Sequence, residues 1–181
     1  MSAPARSKTV LDAGAVGRSL KRIAHEILER NDGIHNLVLI GILRRGAHLA
    51  RRLASELQSN GEEVPVGTLD ISSYRDDGRG LPGDPRVIAR DIPFSLDARR
   101  VILVDDVLYT GRTVRAALDA LADLGRAECI QLAVLVDRGE REIPIRADYV
   151  GKNLEAPHGQ RVYVRLTEVD GGDSVVIGNG K

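Results

Sequence analysis

The sequence predicts an α/β domain built on a central, mostly parallel sheet flanked by helices. Three observations predict it. Residues 37–43 (LVLIGIL), 101–104 (VILV) and 129–136 (CIQLAVLV) are continuous apolar runs with the length and branching of strands buried on both faces. The first two lead straight into a polar turn and an amphipathic helix pattern. Strands and helices alternate along the chain with no internal repeat and no linker, which is the pattern of a parallel-rich sheet.

The chain has 181 residues, enough for one domain with a real core, and residues 1–181 read as that single domain. Lys and Arg total 26, as do Asp and Glu, so no large field of one sign exists. Any nucleic-acid contact therefore needs a local basic patch. Cys129 is the only cysteine, cannot form an intrachain disulfide, and reads as a core residue. No apolar stretch is long enough to span a membrane, and the opening MSAPARSKTV has no apolar signal core. A cytoplasmic protein without a membrane partner is expected.

In chain order, residues 1–10 read as a loose arm or a short first strand. Over residues 12–31, Val16, Leu20, Ile23 and Ile27 follow helical spacing. Arg18, Lys21, Arg22, His25 and Glu29 occupy the other face, which on charge pattern alone is a solvated one. Gly33 is a plausible stop. The strand at 37–43 is followed by Arg44, Arg45 and Gly46, then a helix carrying Leu49, Leu53 and Leu57. Cations are unfavourable at a helix start unless an anion is bound, and guanidinium forks suit pyrophosphate oxygens.

Residues 64–71 read as a strand. Residues 73–85 are polar and rich in Gly and Pro, a long loop that is either a lid or a surface segment. Arg75, Arg79 and Arg86 in or beside it suit an anionic substrate. Residues 87–96 hold a further extended piece. The helix after residue 113 runs to Gly125, and the strand at 129–136 follows. Residues 137–152 (DRGEREIPIRADYVGK) form a basic stretch with little helical character. Residues 162–166 and 175–177 are short strands around Asp170-Gly171-Gly172-Asp173, a plausible hairpin turn.

The chemistry concentrates at residues 101–113, VILVDDVLYTGRT. A buried strand delivers the carboxylates Asp105 and Asp106 to its carboxyl end, where ligands bind in open α/β sheets. Thr110, Gly111, Arg112 and Thr113 then open a helix whose unpaired N–H groups and dipole favour a phosphate. The acids suit ribose hydroxyls or a hydrated Mg2+. The segment matches neither GxxxxGK[ST] nor GxGxxG. Its run of hydrophobics, acid pair and TGxT-like end resembles the phosphoribosyl diphosphate (PRPP) motif of type I phosphoribosyltransferases.

Longer blocks narrow the resemblance. RIAHEI (22–27), the Arg-Gly after the first core strand, LDISSYRDD (69–77), VILVDDVLYTGRTVRAALDAL (101–121), LAVLVDRGEREIPIRADYVGKN (132–153) and EVDG (168–171) closely resemble the PyrR family. These are bifunctional pyrimidine-operon attenuation regulators and uracil phosphoribosyltransferases. The resemblance implies a type I phosphoribosyltransferase fold with a small C-terminal hood. It implies a glycosyltransferase that joins uracil to PRPP, giving UMP and diphosphate, with Mg2+ carried by PRPP near Asp105 and Asp106 and no metal ligated by the protein alone. Asp105 and Asp106 would be catalytic. Tyr109, Thr110, Gly111, Arg112 and Thr113 would bind the 5′-phosphate, with Val107 and Leu108 also in the PRPP and nucleotide site. Arg44, Arg45 and Gly46 would hold diphosphate, the loop with Arg86 would close over it, and Arg138 and Val162 would frame the base.

The same resemblance implies regulation of pyrimidine biosynthesis by transcription attenuation and termination, through UMP-dependent binding to the pyr mRNA leader. Lys21, Arg22 and His25 would join Arg141, Arg146 and Lys152 on one face, allowing RNA binding at zero net charge. A homo-oligomer, dimer or higher, is implied too. The chain departs from the family at Arg44, where Thr is common, at Glu140, where His is usual, and at residues 154–160 (LEAPHGQ). Glu140 puts a negative charge beside the implied RNA surface. A phosphoribosyltransferase for another base with no RNA role, and an RNA-binding regulator without turnover, both stay open on sequence alone.

Overall fold

A computed structural model of the chain describes residues 7–58, 62–71, 90–157 and 159–179. The elements are β1 (Ser7–Leu11), α1 (Ala13–Asn31), β2 (Leu37–Ile42), α2 (Arg45–Leu57), β3 (Val66–Leu69), β4 (Arg90–Asp91), β5 (Arg100–Leu108), α3 (Arg112–Ala122), β6 (Cys129–Asp137), β7 (Tyr149–Asn153), β8 (Gln160–Arg165), α4 (Thr167–Asp170) and β9 (Ser174–Asn179). The 73–85 loop, and Arg86 with it, lie outside the described residues.

A six-stranded sheet has the order β4-β3-β2-β5-β6-β7, parallel throughout except for the edge strand β4. All six residues of β2 are buried, as expected of a strand covered on both faces. Two apolar clusters lie on the two faces. One holds α1 and α2 with Leu39, Ile102 and Leu135; the other holds α3 with Ile40, Leu103 and Val134. Ile23, Ile27, Leu49 and Leu53 are fully buried, each worth roughly 1.5–3 kcal/mol over exposure.

A second, antiparallel sheet of order β1-β9-β8 brings the two ends of the described chain together. It is the expected hood, and residues 7–10 of the uncertain arm are strand within it. Its connection differs from expectation. Residues 170–173 do not make a tight hairpin turn; the short helix α4 fills the corner and Gly171, at φ 76°, ends it.

Helix α1 follows its sequence closely. Asp12 caps it by accepting a hydrogen bond from Ala15 N at 2.7 Å, and Asp32 and Gly33, both at positive φ, close it. Its last residue, Asn31, is buried and bonded with Gln131 and Tyr149, and Tyr149 Oη donates to Gln131 Oε1 at 2.6 Å. Such a satisfied polar trio fixes one arrangement of α1, β6 and β7. Burial raises the Tyr149 phenol above its ordinary pKa, partly opposed by the hydrogen bond to Asn31. Cys129 is half-buried at the start of β6 rather than a core residue, and Gln131 Nε2 approaches its sulfur at 3.8 Å.

Candidate active site

Strands β2 and β5 are parallel neighbours, with Leu39 opposite Ile102 and Gly41 opposite Val104. The turns after them therefore open side by side at the carboxyl edge of the sheet, where a crevice forms. After β2 the Leu43–Arg44 peptide is cis, and α2 begins at Arg45 rather than after Gly46. Two glycines make this approach fit. A Cβ on Gly41 would overlap the Ala47 backbone. One on Gly46 would overlap the Val104 carbonyl oxygen and stand 3.2 Å from Asp105 Cα. The first turn of α2 thus rests on the backbone that bears the acid pair.

Strand β5 does not stop at Val104; it stays paired with β6 through Leu108 and Asp137. Asp105 and Asp106 lie inside it, with Asp105 opposite Val134. Asp105 is buried at 6% exposure, and its Oδ1 accepts from Asp106 N at 2.8 Å. Asp106 is half-buried, and its Oδ1 accepts from Val107 N at 3.0 Å. These short bonds set both carboxylates beside the crevice rather than at a helix cap.

Past Leu108 the chain turns through Tyr109, Thr110 and Gly111, and Gly111 takes φ 94° before α3 starts at Arg112. Gly111 gives α3 no side-chain cap, Thr110 Oγ1 accepts from Arg112 N only at 3.5 Å, and the first turn holds no acid; α2 likewise lacks a side-chain cap. Both helix starts lean on the crevice, so their dipoles favour an anion there. The connection after β6 straps the turn in place. Glu142 N and Ile143 N donate to Thr110 O at 3.0 and 3.2 Å, and Arg112 Nε pairs with Glu142 at 2.7 Å. Arg138 N donates to Leu108 O at 2.9 Å, and its guanidinium sits 4.0 Å over the Tyr109 ring. The Arg138 side chain is buried, pairs with Glu140 at 3.2 Å, and leaves Nε without a partner.

The predicted residues divide into groups. Arg44, Gly46, Asp105, Asp106, Val107 and the 108–113 turn converge on one crevice, with Arg138 beside it. Arg44 is exposed and makes no side-chain bond among the described residues. Arg45 is turned inward and holds both carboxylate oxygens of Asp170 at 2.9 and 3.0 Å. Val162, half-buried on β8, packs on the same cluster as Val107.

The basic residues expected on one face lie on two segments of the chain. Lys21, Arg22 and His25 are exposed on α1, which covers Tyr149 from one face of the sheet, and Arg22 donates to Val150 O and Gly151 O. The 138–148 connection runs on the α3 face, where Ile145 and Ala147 are packed. The two segments come together beside the edge strand β7, where Arg30 of α1 pairs with Asp148 at 2.8 Å and Lys152 is exposed. Arg146 is exposed. Arg141 is drawn inward: its guanidinium bonds Asp137, Tyr109 O, Gly139 O and Ile145 O. Four of its five N–H donors are given to the 109–111 turn and to the connection after β6.

Sequence reasoning missed Asp170, Glu142 and the clamp between α2 and the hood. Arg52 pairs with Glu168 at 2.6 Å and with Asp173 at 2.6 Å. Hydrogen bonding to Arg52 lowers the Asp173 carboxyl to about 2 and the Glu168 carboxyl below its ordinary value. At Asp170 burial pushes upward, but the bonds from Leu166 N and Arg45 outweigh it and the carboxyl titrates low. EVDG carried the signal as a block with no role attached.

No group of three or more His, Cys, Asp or Glu among the described residues is arranged to hold a metal ion. The paired acids fit Mg2+ in its usual mode, one or two carboxylates plus substrate phosphates. No helix among the described residues is long and apolar enough to cross a membrane.

Comparison with known proteins agrees with this geometry. The phosphoribosyl transferase domain family matches residues 6–164. A protein of Pelotomaculum thermopropionicum named Bifunctional protein PyrR is 59% identical over 96% of this chain and 97% of its own. The protein of that name in Deinococcus deserti is 60% identical over 98% of this chain and 96% of its own. Among solved structures, the hypoxanthine phosphoribosyltransferase of Trypanosoma cruzi superposes with a TM-score of 0.73 at 20% identity, covering 96% of this chain and 97% of that one. That of Staphylococcus aureus gives 0.71 at 22%, covering 96% and 91%. These last two share the fold. With an acid pair and two glycine-bearing turns gathered at one sheet edge, and with relatives this similar along nearly its whole length, the chain belongs to the phosphoribosyltransferase family and, within it, to the bifunctional PyrR proteins.

Proposed function

We propose that this chain, acting as one domain over residues 1–181, transfers the phosphoribosyl group of PRPP to uracil. The C1′–oxygen bond to diphosphate breaks, a bond from C1′ to uracil N1 forms, and the N1 proton leaves, giving UMP and diphosphate. The observation that carries this is the seating of Gly46 on Val104 and Asp105. It holds the diphosphate turn against the acids that face the breaking bond.

Each group has a role. Backbone N–H groups of 110–113 at the start of α3 bind the 5′-phosphate, with the Thr hydroxyls adding donors. Asp105 and Asp106 orient the ribose hydroxyls and stabilise the positive charge that develops on the ribose ring, an electrostatic role suited to a partly buried pair. Arg44 and the start of α2 stabilise the departing diphosphate. Arg138 and Val162 bound the space for the base. Asp105 and Asp106 would lie near an Mg2+ carried by PRPP, which would supply neutralisation of the diphosphate charge.

The second activity in this reading is UMP-dependent binding of a pyr leader RNA, causing attenuation. Lys21, Arg22 and His25 on α1, with Lys152 and Arg146 around the edge strand β7, are the contacts proposed. A cytoplasmic homo-oligomer belongs to the same reading, and sedimentation of the purified protein tests its assembly.

The test is diphosphate release from PRPP across a panel of bases, paired with binding of the chain's own leader RNA with and without UMP at stated salt. UMP formation with uracil and UMP-dependent binding are expected. Turnover with a different base alone overturns the first assignment. Turnover with uracil but no RNA binding overturns the second.

A further inference from the structure

We infer that Asp170 is a positioning residue for the diphosphate turn, holding Arg45 inward so that Arg44 is the guanidinium presented to the leaving group. This rests on the transferase reading above. Arg45 Nη2 reaches both Asp170 oxygens, at 2.9 and 3.0 Å, and the two side chains are only 21% and 9% exposed. The pair is therefore shielded from solvent in a way surface pairs are not.

The inward pose of Arg45 is imposed rather than preferred. Its Nε is buried and has no acceptor, an arrangement that proteins avoid unless something else fixes the group. Asp170 is that fixture. Asp170 is itself held, since its Oδ2 accepts from Leu166 N at 3.0 Å and Leu166 is fully buried in the core. The segment around it is held a second time. Arg52, two helical turns beyond Arg45, pairs with Glu168 and Asp173, and Asp173 also accepts from Thr167 N and Thr167 Oγ1 at 2.8 Å.

Two ties thus join α2 to the hood. The Arg52 tie lies along the helix, away from the crevice. The Arg45 tie lies at its first residue, next to Gly46 and the Asp105 backbone. A carboxylate there does more than hold the hood down. It draws one of two adjacent cations out of the crevice, sets the pose of the helix start, and links the strand that bears Val162 to the turn that bears Arg44.

The experiment compares Asp170→Asn, Asp170→Glu, Arg45→Gln, the Arg45→Gln/Asp170→Asn double variant and Arg52→Gln. The readouts are Tm, PRPP affinity by calorimetry, and the separate KM values for PRPP and uracil. Asp170→Asn is expected to weaken PRPP binding about tenfold and to raise its KM, with the KM for uracil unchanged, as a misplaced binding group does. Asp170→Glu is expected to recover part of the loss, and the double variant to bind PRPP no worse than Arg45→Gln alone. Arg52→Gln is expected to lower Tm while leaving PRPP affinity unaltered. The inference is overturned if Asp170→Asn lowers Tm as Arg52→Gln does while PRPP affinity holds, or if the two changes at Arg45 and Asp170 add. Should Asp170→Asn fail to fold, Asp170→Glu and Arg45→Gln decide, since equal PRPP affinity in both and in wild type overturns it. A wild type that binds PRPP without making UMP from uracil fails the transferase reading instead, and the calorimetry still decides the role of Asp170.

Discussion

Gly46 and Asp105 meet backbone to backbone: a Cβ added to Gly46 would stand 3.2 Å from Asp105 Cα and overlap the Val104 carbonyl oxygen. Side chains are excluded from this seam, where the first turn of α2 lies against β5; in the proposed mechanism that approach lets the turn at Arg44 reach the acids. Gly46→Ala is therefore expected to push the two turns apart. Overpacking of this kind costs roughly 1–3 kcal/mol, and a displacement near 1 Å at a reacting group costs on the order of 10²-fold in rate. UMP formation and urea unfolding on the same variant check both. Wild-type turnover with an alanine in the seam would show that the close approach is dispensable.

The acids themselves carry the second prediction. Asp105 is buried and Asp106 half-buried, and each accepts a hydrogen bond from the next backbone N–H. An amide keeps an oxygen to accept that bond, so Asp105→Asn/Asp106→Asn is expected to fold with a near-normal Tm. It removes the negative charge that stabilises the developing cation, and kcat is expected to fall by at least about 10²–10³-fold, the scale of losing one preorganised electrostatic interaction. A double variant that still turns over normally would remove both residues from the mechanism.

Much of this site is legible in the sequence, and the reasons are local. Asp12 and the Val16-Leu20-Ile23-Ile27 spacing define α1 because cap and stripe are properties of one short stretch. The apolar runs of β2, β5 and β6 announce buried strands for the same reason. What stays hidden depends on partners far away in sequence. Asp105 and Asp106 look like a strand's end, yet the ladder to β6 carries β5 on to Leu108. β7 (YVGKN) is short and polar and becomes a strand only because β6 offers it an edge. Arg141 reads as a surface cation, yet the fold of its own connection closes Asp137, Gly139 O and Ile145 O around it, and Tyr109 O, 32 residues away, completes the set. α4, four residues long, has no periodicity to detect.

Acid sensitivity follows from the hood clamp. Asp173 titrates at about 2 in the folded chain, against 3.8 for an ordinary Asp, because Arg52 hydrogen-bonds its charged form. A folded pKa below the unfolded one means stability that is present above pH ~4 and lost as pH falls through that range toward 2. Glu168 and Asp170 shift in the same direction. Over that window the Asp173 contribution is worth roughly 2 kcal/mol. Arg52→Gln is expected to be less stable than wild type at pH 7 and to lose less on acidification. Urea midpoints at pH 7 and pH 3 measure it, and parallel losses in the two proteins would refute the role of the clamp.

Arg141 and Arg146 lie five positions apart in the same basic connection, yet their surroundings separate them. Arg141 is one-fifth exposed and ties Asp137, Gly139 and Ile145 to the Tyr109 carbonyl of the phosphate turn. Arg146 is exposed. Arg141→Gln leaves a partly buried carboxylate and several carbonyls without their donor, a defect of the kind that costs about 1–3 kcal/mol. It is expected to lower Tm and to weaken UMP binding, because the turn that holds the 5′-phosphate loses its strap. RNA affinity then falls only as far as UMP occupancy does, and saturating UMP restores it. Arg146→Gln is expected to leave Tm and UMP binding untouched while weakening RNA at every UMP concentration. Removing one phosphate-binding cation also shallows the salt dependence of RNA binding by about one unit of slope. Titrations of leader RNA at two salt concentrations and two UMP concentrations separate the two cases. If Arg141→Gln weakens RNA at saturating UMP with Tm unchanged, the inward bonds are not what that side chain is for, and it returns to the RNA surface.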